Sequence, residues 1–203
     1  MGEARTFTVS EASYVLGLKP SEINRAVDKK VIKAVAAKGG PNRRRAFGTP
    51  ELRFLRVDQQ LQKTLTPEGR RQLYLAVSKM PPSVHSAKVG PVIVDFKEVD
   101  AELDRRINML ANIRNSVDLS GGDALIKGTK ISAYQIAALG AAHSVNEIIA
   151  DYPSLSRAQV ESAIEYSRAY PKKGRPYPGT TFKKALSDLV DLGIFDDDPS
   201  ESD

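Results

Sequence analysis

Residues 7–32, FTVSEASYVLGLKPSEINRAVDKKVI, decide the fold of the N-terminal part of the chain. Ser10 stands where a helix cap is expected, with Glu11 in the first turn behind it. Ala12, Val15 and Leu16 follow at helical spacing. Gly17 stops that helix. Pro20 keeps Lys19 out of the helical region, so Leu18-Lys19-Pro20 reads as a tight connection. Ser21 is then expected to cap a second helix, from Glu22 to about Lys30, with Ile23, Ala26 and Val27 as its inner stripe. Two short helices joined by about four residues, the second polar on its outer face, form a helix-turn-helix pattern.

Working outward, Val31 to Val35 reads as a strand. Lys38-Gly39-Gly40-Pro41-Asn42 reads as a turn, and Arg43 to Phe47 as the return strand. Thr49 is expected to cap a further helix with Pro50 at its first position, carrying Leu52, Leu55 and Leu61. Another helix should start at Thr66-Pro67-Glu68, carry Leu73, Leu75 and Val77, and stop before Pro81-Pro82. Residues 81–91 read as a linker or domain edge. Val92 to Phe96 has the β-branched texture of a strand. Val99, Leu103, Ile107, Leu110, Ile113 and Val117 advance by fours and threes, which puts them on one helical face. This strand and helix are the candidates for self-association.

Charge is unevenly apportioned. Residues 1–80 hold 16 Lys/Arg and 7 Asp/Glu, a net of +9; residues 81–203 hold 14 and 18, a net of −4. A basic leading part suits a polyanion, because phosphate neutralisation drives nucleic-acid binding. Within it, Ser21, Glu22, Asn24, Arg25, Asp28 and Lys29 occupy the outer face of the second helix, where base edges are read. Asn pairs two-pronged with adenine and Arg with guanine. Arg43, Arg44 and Arg45 would act as a wing against phosphates or in the minor groove.

After Leu119 the texture changes. Two short strand pieces are expected around Gly128. Three short helices follow: one capped by Ser132, one containing Val145, Ile148 and Ile149 and ended by Asp151-Tyr152-Pro153, and one capped by Ser156. The tail splits by charge. Lys172, Lys173, Arg175, Lys183 and Lys184 have no acidic neighbour between residues 169 and 186, whereas residues 187–203 carry seven acidic residues and no basic one. The prolines near Tyr170, Arg175 and Tyr177 argue for an extended course. Phe182, Leu186, Leu189 and Val190 fit one face of a last helix.

Two stretches resemble known families. The segment 7–32, followed by RRRAFGTPELRFLRV at 43–57, resembles the DNA-binding domain of MerR-like regulators. That resemblance implies a winged helix-turn-helix and binding to DNA as a dimer. The metal-sensing cysteines of many such regulators are missing. The stretch 125–167, LIKGTKISAYQIAALGAAHSVNEIIADYPSLSRAQVESAIEYS, resembles the small domain of unknown function found in VapB-type antitoxins. Gly128, Thr129, Lys130, Ile131, Glu147, Ile148, Asp151, Tyr152, Pro153 and Leu155 carry the match. This resemblance implies a helix-turn-helix-like unit, an adjacent gene for a PIN-type ribonuclease toxin, and repression of the chain's own operon. PIN nucleases hold Mg²⁺ in a carboxylate cluster, an anionic pocket that attracts cations. The expected toxin-binding residues are Lys172, Lys173 and Arg175, with Tyr170, Tyr177, Phe182 and Leu186 as apolar anchors. Arg175 is the best candidate for insertion, since its fork can pair two carboxylates.

Catalysis finds no support. There is no cysteine, and the two histidines, His85 and His143, look isolated. Gly39-Gly40 and Gly121-Gly122 belong to no P-loop. Asp100 and Asp104, with Arg105 and Arg106 beside them, read as surface salt bridging. The acidic terminus reads as solvated rather than as a metal site. No cofactor, catalytic residue or metal ligand is expected. No apolar run is long enough for a membrane span, and the N-terminus lacks the apolar core of a signal peptide, so a cytoplasmic location is expected.

The expected architecture is mainly α. It comprises a winged helix-turn-helix over 1–80, a strand and long helix over 81–117 for linkage or dimerisation, a small three-helix domain over 118–170, and an extended tail over 171–203. The expected function is that of an antitoxin and autorepressor, with operator DNA, a PIN-domain toxin and a second copy of the chain as partners. The competing expectation is a stand-alone MerR-like regulator with a C-terminal sensing domain.

Overall fold

A computed structural model describes residues 5–36, 45–174 and 177–180. The protein is mainly helical, with eight helices and small sheets among the described residues, and it divides into two compact units, Met1–Asn112 and Ile113–Asp203.

The first unit opens with β1 (Phe7–Thr8), α1 (Val9–Leu16) and α2 (Pro20–Asp28). Thr8, not Ser10, caps α1. Its hydroxyl accepts from the Glu11 amide while the Glu11 carboxylate takes the Thr8 N–H at 2.8 Å, a reciprocal capping box that satisfies two orphan donors. Gly17 closes α1 in the left-handed conformation (φ 68°), as its position in the sequence suggests. Ser21 does not cap α2. Pro20 is already the first helical residue, and Glu22 reaches back to the Lys19 N–H at 2.7 Å. Ile23 is fully buried, while Ala26 and Val27 are half-buried.

The expected hairpin forms, but shorter and later. β2 is Val35–Ala36 and β3 is Arg45–Phe47, in antiparallel register Val35 to Ala46; Val31 and Ile32 lie outside the strand. β1 pairs with the other edge of β3, Phe7 opposite Phe47, giving a sheet ordered β1-β3-β2. The turn expected at 38–42 falls outside the described residues. α3 (Thr49–Leu61) starts one residue earlier than expected: Gly48 is the cap, and Glu51 accepts from its N–H at 2.8 Å. α4 (Pro67–Ser78) begins as expected, with the Thr66 hydroxyl accepting from Gly69. Leu73 and Val77 are buried, whereas Leu75 is exposed.

Tyr74 ties three segments together. Its ring meets Phe54 edge-on at 5.5 Å, its hydroxyl donates to Glu51 at 2.9 Å and accepts from the Lys33 amide at 3.2 Å. Burial, reinforced by the Glu51 carboxylate, raises its pKa from 10.0 to about 12. A proton retained in the folded state above the pH at which the unfolded chain loses it costs stability as pH rises. The unfolding free energy should therefore stay level up to about pH 10 and then fall towards pH 12. In Tyr74→Phe that decline should flatten, read by urea melts at successive alkaline pH values. An unchanged decline would assign it to other groups.

Residues 81–91 are not a bare linker. They contain β4 (Ser86–Val89), which pairs with β5 (Val92–Asp95) across a two-residue turn whose Gly90 takes φ 57°. α5 (Lys97–Asn115) follows, burying Leu103, Leu110 and Ile113; Val117 belongs instead to β6 (Val117–Asp118).

In the second unit β6 pairs with β7 (Leu125–Ile126); of the two strand pieces expected around Gly128, the one before it forms β7, and after it there is an isolated bridge from Ser132 to Leu125 instead of a strand. Gly128 takes φ 79° in the turn between. Three helices complete the unit: α6 (Ala133–Leu139), α7 (Val145–Asp151) and α8 (Arg157–Ala169). Capping boxes start two of them, Ser144 with Glu147 and Ser156 with Gln159. Ser132 holds the cap position of α6 without a capping side-chain bond. α6 and α7 both pack on α8 around Ile136, Leu139, Ile148, Val160 and Ala163. The last helix expected from Phe182 onward lies outside the described residues.

Candidate nucleic-acid interface

The turn between α1 and α2 is clamped by the backbone. The Gly17 and Leu18 amides both donate to the Ser13 carbonyl, and the Ser13 hydroxyl donates to the Leu18 carbonyl. This fixes where α2 leaves α1. On the outer face of α2, Ser21, Glu22, Arg25 and Lys29 are exposed and Asn24 is half-buried. Lys19, Lys30 and Lys33 are exposed close by in sequence.

These residues do not share one task. Glu22 holds the Lys19 N–H with one carboxylate oxygen and accepts from Gln59 with the other at 3.1 Å. Its bonds serve the start of α2 and its seating on α3. Arg45, expected to lie against phosphates, turns onto α2. Its guanidinium donates to the Asn24 side-chain oxygen at 2.9 Å and to Asp28 at 2.6 Å. β3 and α2 are thereby linked. Asn24 and Asp28 are four residues apart, hence on one helical face, where Arg45 reaches both. The Asn24 side-chain oxygen is thus taken by Arg45. Arg25 is an exposed cation on the same helix, and Lys29 is another at its C-terminal cap. Arg43 and Arg44 lie outside the described residues.

His85 and Asp100 correct two sequence expectations. Asp100 does not bridge on the surface. It accepts from Arg53 through both oxygens at 2.6 Å, and His85 Nδ1 lies 2.5 Å from one of them. Arg53 is 4% exposed, sits over the Phe96 ring at 5.2 Å and also donates to the Val84 carbonyl. Glu102, rather than Asp104, takes the surface arginines, Arg56 and Arg106. Hydrogen bonds from those two arginines hold its carboxyl below the usual range. His85 is therefore not isolated, and its neighbours build a structural cluster.

In the second unit a cluster of aromatic rings surrounds the start of the tail. Tyr134 and Tyr166 have ring centroids 5.7 Å apart, and Tyr166 and Tyr170 are 4.9 Å apart. Burial, then the neighbouring Tyr134 hydroxyl, pushes the Tyr166 hydroxyl above its ordinary value. The Lys172 ammonium lies 3.7 Å from the Tyr177 centroid and 5.6 Å from that of Tyr134. The Tyr177 hydroxyl donates to Asp123 at 2.7 Å. Burial opposes ionisation of Asp123, but the bonds from Tyr177 and the Ala124 amide and the charge of Lys172 outweigh it, and its carboxyl is held below the usual range. Of the residues expected to meet a toxin, Lys172 and Tyr177 thus contact their own unit, and Lys173 is exposed. Arg175, Phe182 and Leu186 lie outside the described residues.

A depression of about 130 Å³, lined by Ser116, Val117, Ile126, Ala158, Gln159, Ser162 and Ala163, carries no titratable side chain. It is well below the roughly 300–1,000 Å³ of small-molecule sites. Among the described residues no group of three or more His, Asp or Glu side chains is placed to hold a metal ion, and no helix is long and apolar enough to cross a membrane.

Comparison with known proteins adds two findings. Residues 113–167 match the family model DUF433, described as a protein of unknown function. The chain is also similar to the uncharacterized protein y4eO of Sinorhizobium fredii (strain NBRC 101917 / NGR234), 26% identical over 190 residues that cover 85% of each chain. No solved structure matches.

Proposed function

We propose that this protein is an antitoxin that represses its own operon through the N-terminal unit and inhibits a PIN-type ribonuclease, encoded by the adjacent gene, through the C-terminal part. The observation that carries the DNA-binding half is the clamped α1-α2 turn, with a polar, cation-bearing outer face on α2 and a wing strand pinned to that face by Arg45. A recognition helix needs such a fixed entry angle and such a face. The excess of Lys/Arg over Asp/Glu in residues 1–80 supplies the attraction to phosphate. We place the protein in the cytoplasm, acting on operator DNA as a homodimer.

The toxin-binding half is supported by the resemblance of residues 125–167 to the small domain of VapB-type antitoxins. Lys173 and Arg175 supply cations for an acidic nuclease pocket. Copurification with a tagged adjacent-gene product tests it, alongside nuclease and promoter-binding assays. Arg175→Glu should keep promoter binding and lose inhibition of the nuclease. Full inhibition by that variant would remove Arg175 from the mechanism. Promoter binding with no captured nuclease would leave a stand-alone regulator.

A further inference from the structure

We propose that Lys172 and Tyr177, shortly after α8, form a latch to their own unit: the Lys172 ammonium is an internal ligand of the Tyr134 and Tyr177 rings, and Asp123 holds Tyr177 in place. The ammonium sits 3.7 Å from one ring centroid and 5.6 Å from the other, a cation–π arrangement. The nearer ring belongs to the tail itself and is fixed by its hydroxyl, which donates to Asp123 at 2.7 Å. Asp123 is anchored in turn by accepting from the Ala124 amide at 2.8 Å. Asp123 therefore fixes the ring over which the ammonium sits, and the charge of Lys172 adds a weaker attraction.

The local backbone supports this closure. Lys172 and Tyr177 are five residues apart, yet they meet. Gly174 lies between them with φ 94°, a conformation that L side chains rarely adopt, with nothing within 4 Å of where a Cβ would stand. Further on, a Cβ at Gly179 would lie 3.8 Å from the Ala138 carbonyl of α6, so the segment is still against its own unit there. Lys172 and Lys173 are both exposed, and the Lys172 ammonium is held over the rings.

Limited trypsin digestion of the full chain, followed by mass spectrometry of cleavage after Lys173, tests the latch. When opening is fast, cleavage tracks the population of the open form. Tyr177→Phe keeps the ring and removes the bond to Asp123; that bond to a charged acceptor corresponds to roughly tenfold or more in the opening equilibrium, and cleavage should accelerate by about that factor. Asp123→Asn and Lys172→Met should accelerate it in the same direction, whereas Lys172→Arg, which keeps a cation over the rings, should stay near the wild-type rate. Lys172→Met alters only an exposed side chain, so a folding defect in another variant would not decide the matter. Equal cleavage in the wild type, Tyr177→Phe and Lys172→Met would overturn the latch. Acceleration by Lys172→Arg as large as by Lys172→Met would overturn the cation cage.

Discussion

Replacing Arg53 with alanine should lower the unfolding free energy of the N-terminal unit by about 3–5 kcal/mol. Arg53 is 4% exposed and its fork spans both oxygens of Asp100 at 2.6 Å, while one nitrogen also serves the Val84 carbonyl. Truncation removes the charge that neutralises Asp100 and leaves a backbone acceptor short of its donor. Desolvation has already been incurred by both partners, so the loss exceeds what a surface pair would give, which is about 0–1 kcal/mol. A typical domain has only about 5–15 kcal/mol in total, so this one side chain decides whether the unit persists on warming. Urea unfolding should show a lowered midpoint with an unchanged slope. A double change, Arg53→Met with Asp100→Leu, should recover much of the loss, because no unpaired charge remains. A cost below about 1 kcal/mol for Arg53→Ala would mean that His85 or water already compensates Asp100.

On operator DNA, Arg25→Ala should weaken binding by about 1–3 kcal/mol and relax the preference at one base position. Arg25 is exposed on the same helix as Asn24, whose amide is oriented by Arg45. Lys29→Ala should behave differently. As a phosphate contact it should weaken all sequences alike and reduce the salt slope by about one. Anisotropy titrations at several salt concentrations, with operator and scrambled duplexes, separate the two. Uniform loss with Arg25→Ala would make that arginine a phosphate contact, and loss with neither variant would remove α2 from the interface.

Local chemistry made the helices legible and long-range pairing made the rest obscure. The stops at Gly17 and before Pro153, and the caps at Thr66 and Ser156, depend on residues within one helical turn, and the sequence displays them. Helix starts shifted where two local signals compete. At α2, Ser21 offers a hydroxyl, but Pro20 has its φ already set for the first helical position, and Glu22 satisfies the amide before it. At α3, Gly48 takes the cap because Glu51 reaches its N–H, which moves Thr49 inside. β4 was missed because Ser-Ala-Lys-Val has little strand character of its own and gains it by pairing with β5. β1, two residues long, exists only through Phe47, forty residues away in sequence. The outer face of α2 was readable from periodicity, but the Arg45 clamp was not, since it joins residues 17 and 21 positions apart. The same holds for Asp100, whose partner lies 47 positions back.

The cluster of tyrosine rings gives the molecule an intrinsic optical probe. The chain has seven tyrosines and no tryptophan, and Tyr134, Tyr166, Tyr170 and Tyr177 all stand together in the C-terminal unit. Near-ultraviolet dichroism therefore reports chiefly on that unit, undisturbed by indole bands. A ligand that reorganises the rings announces itself spectroscopically, without any attached dye.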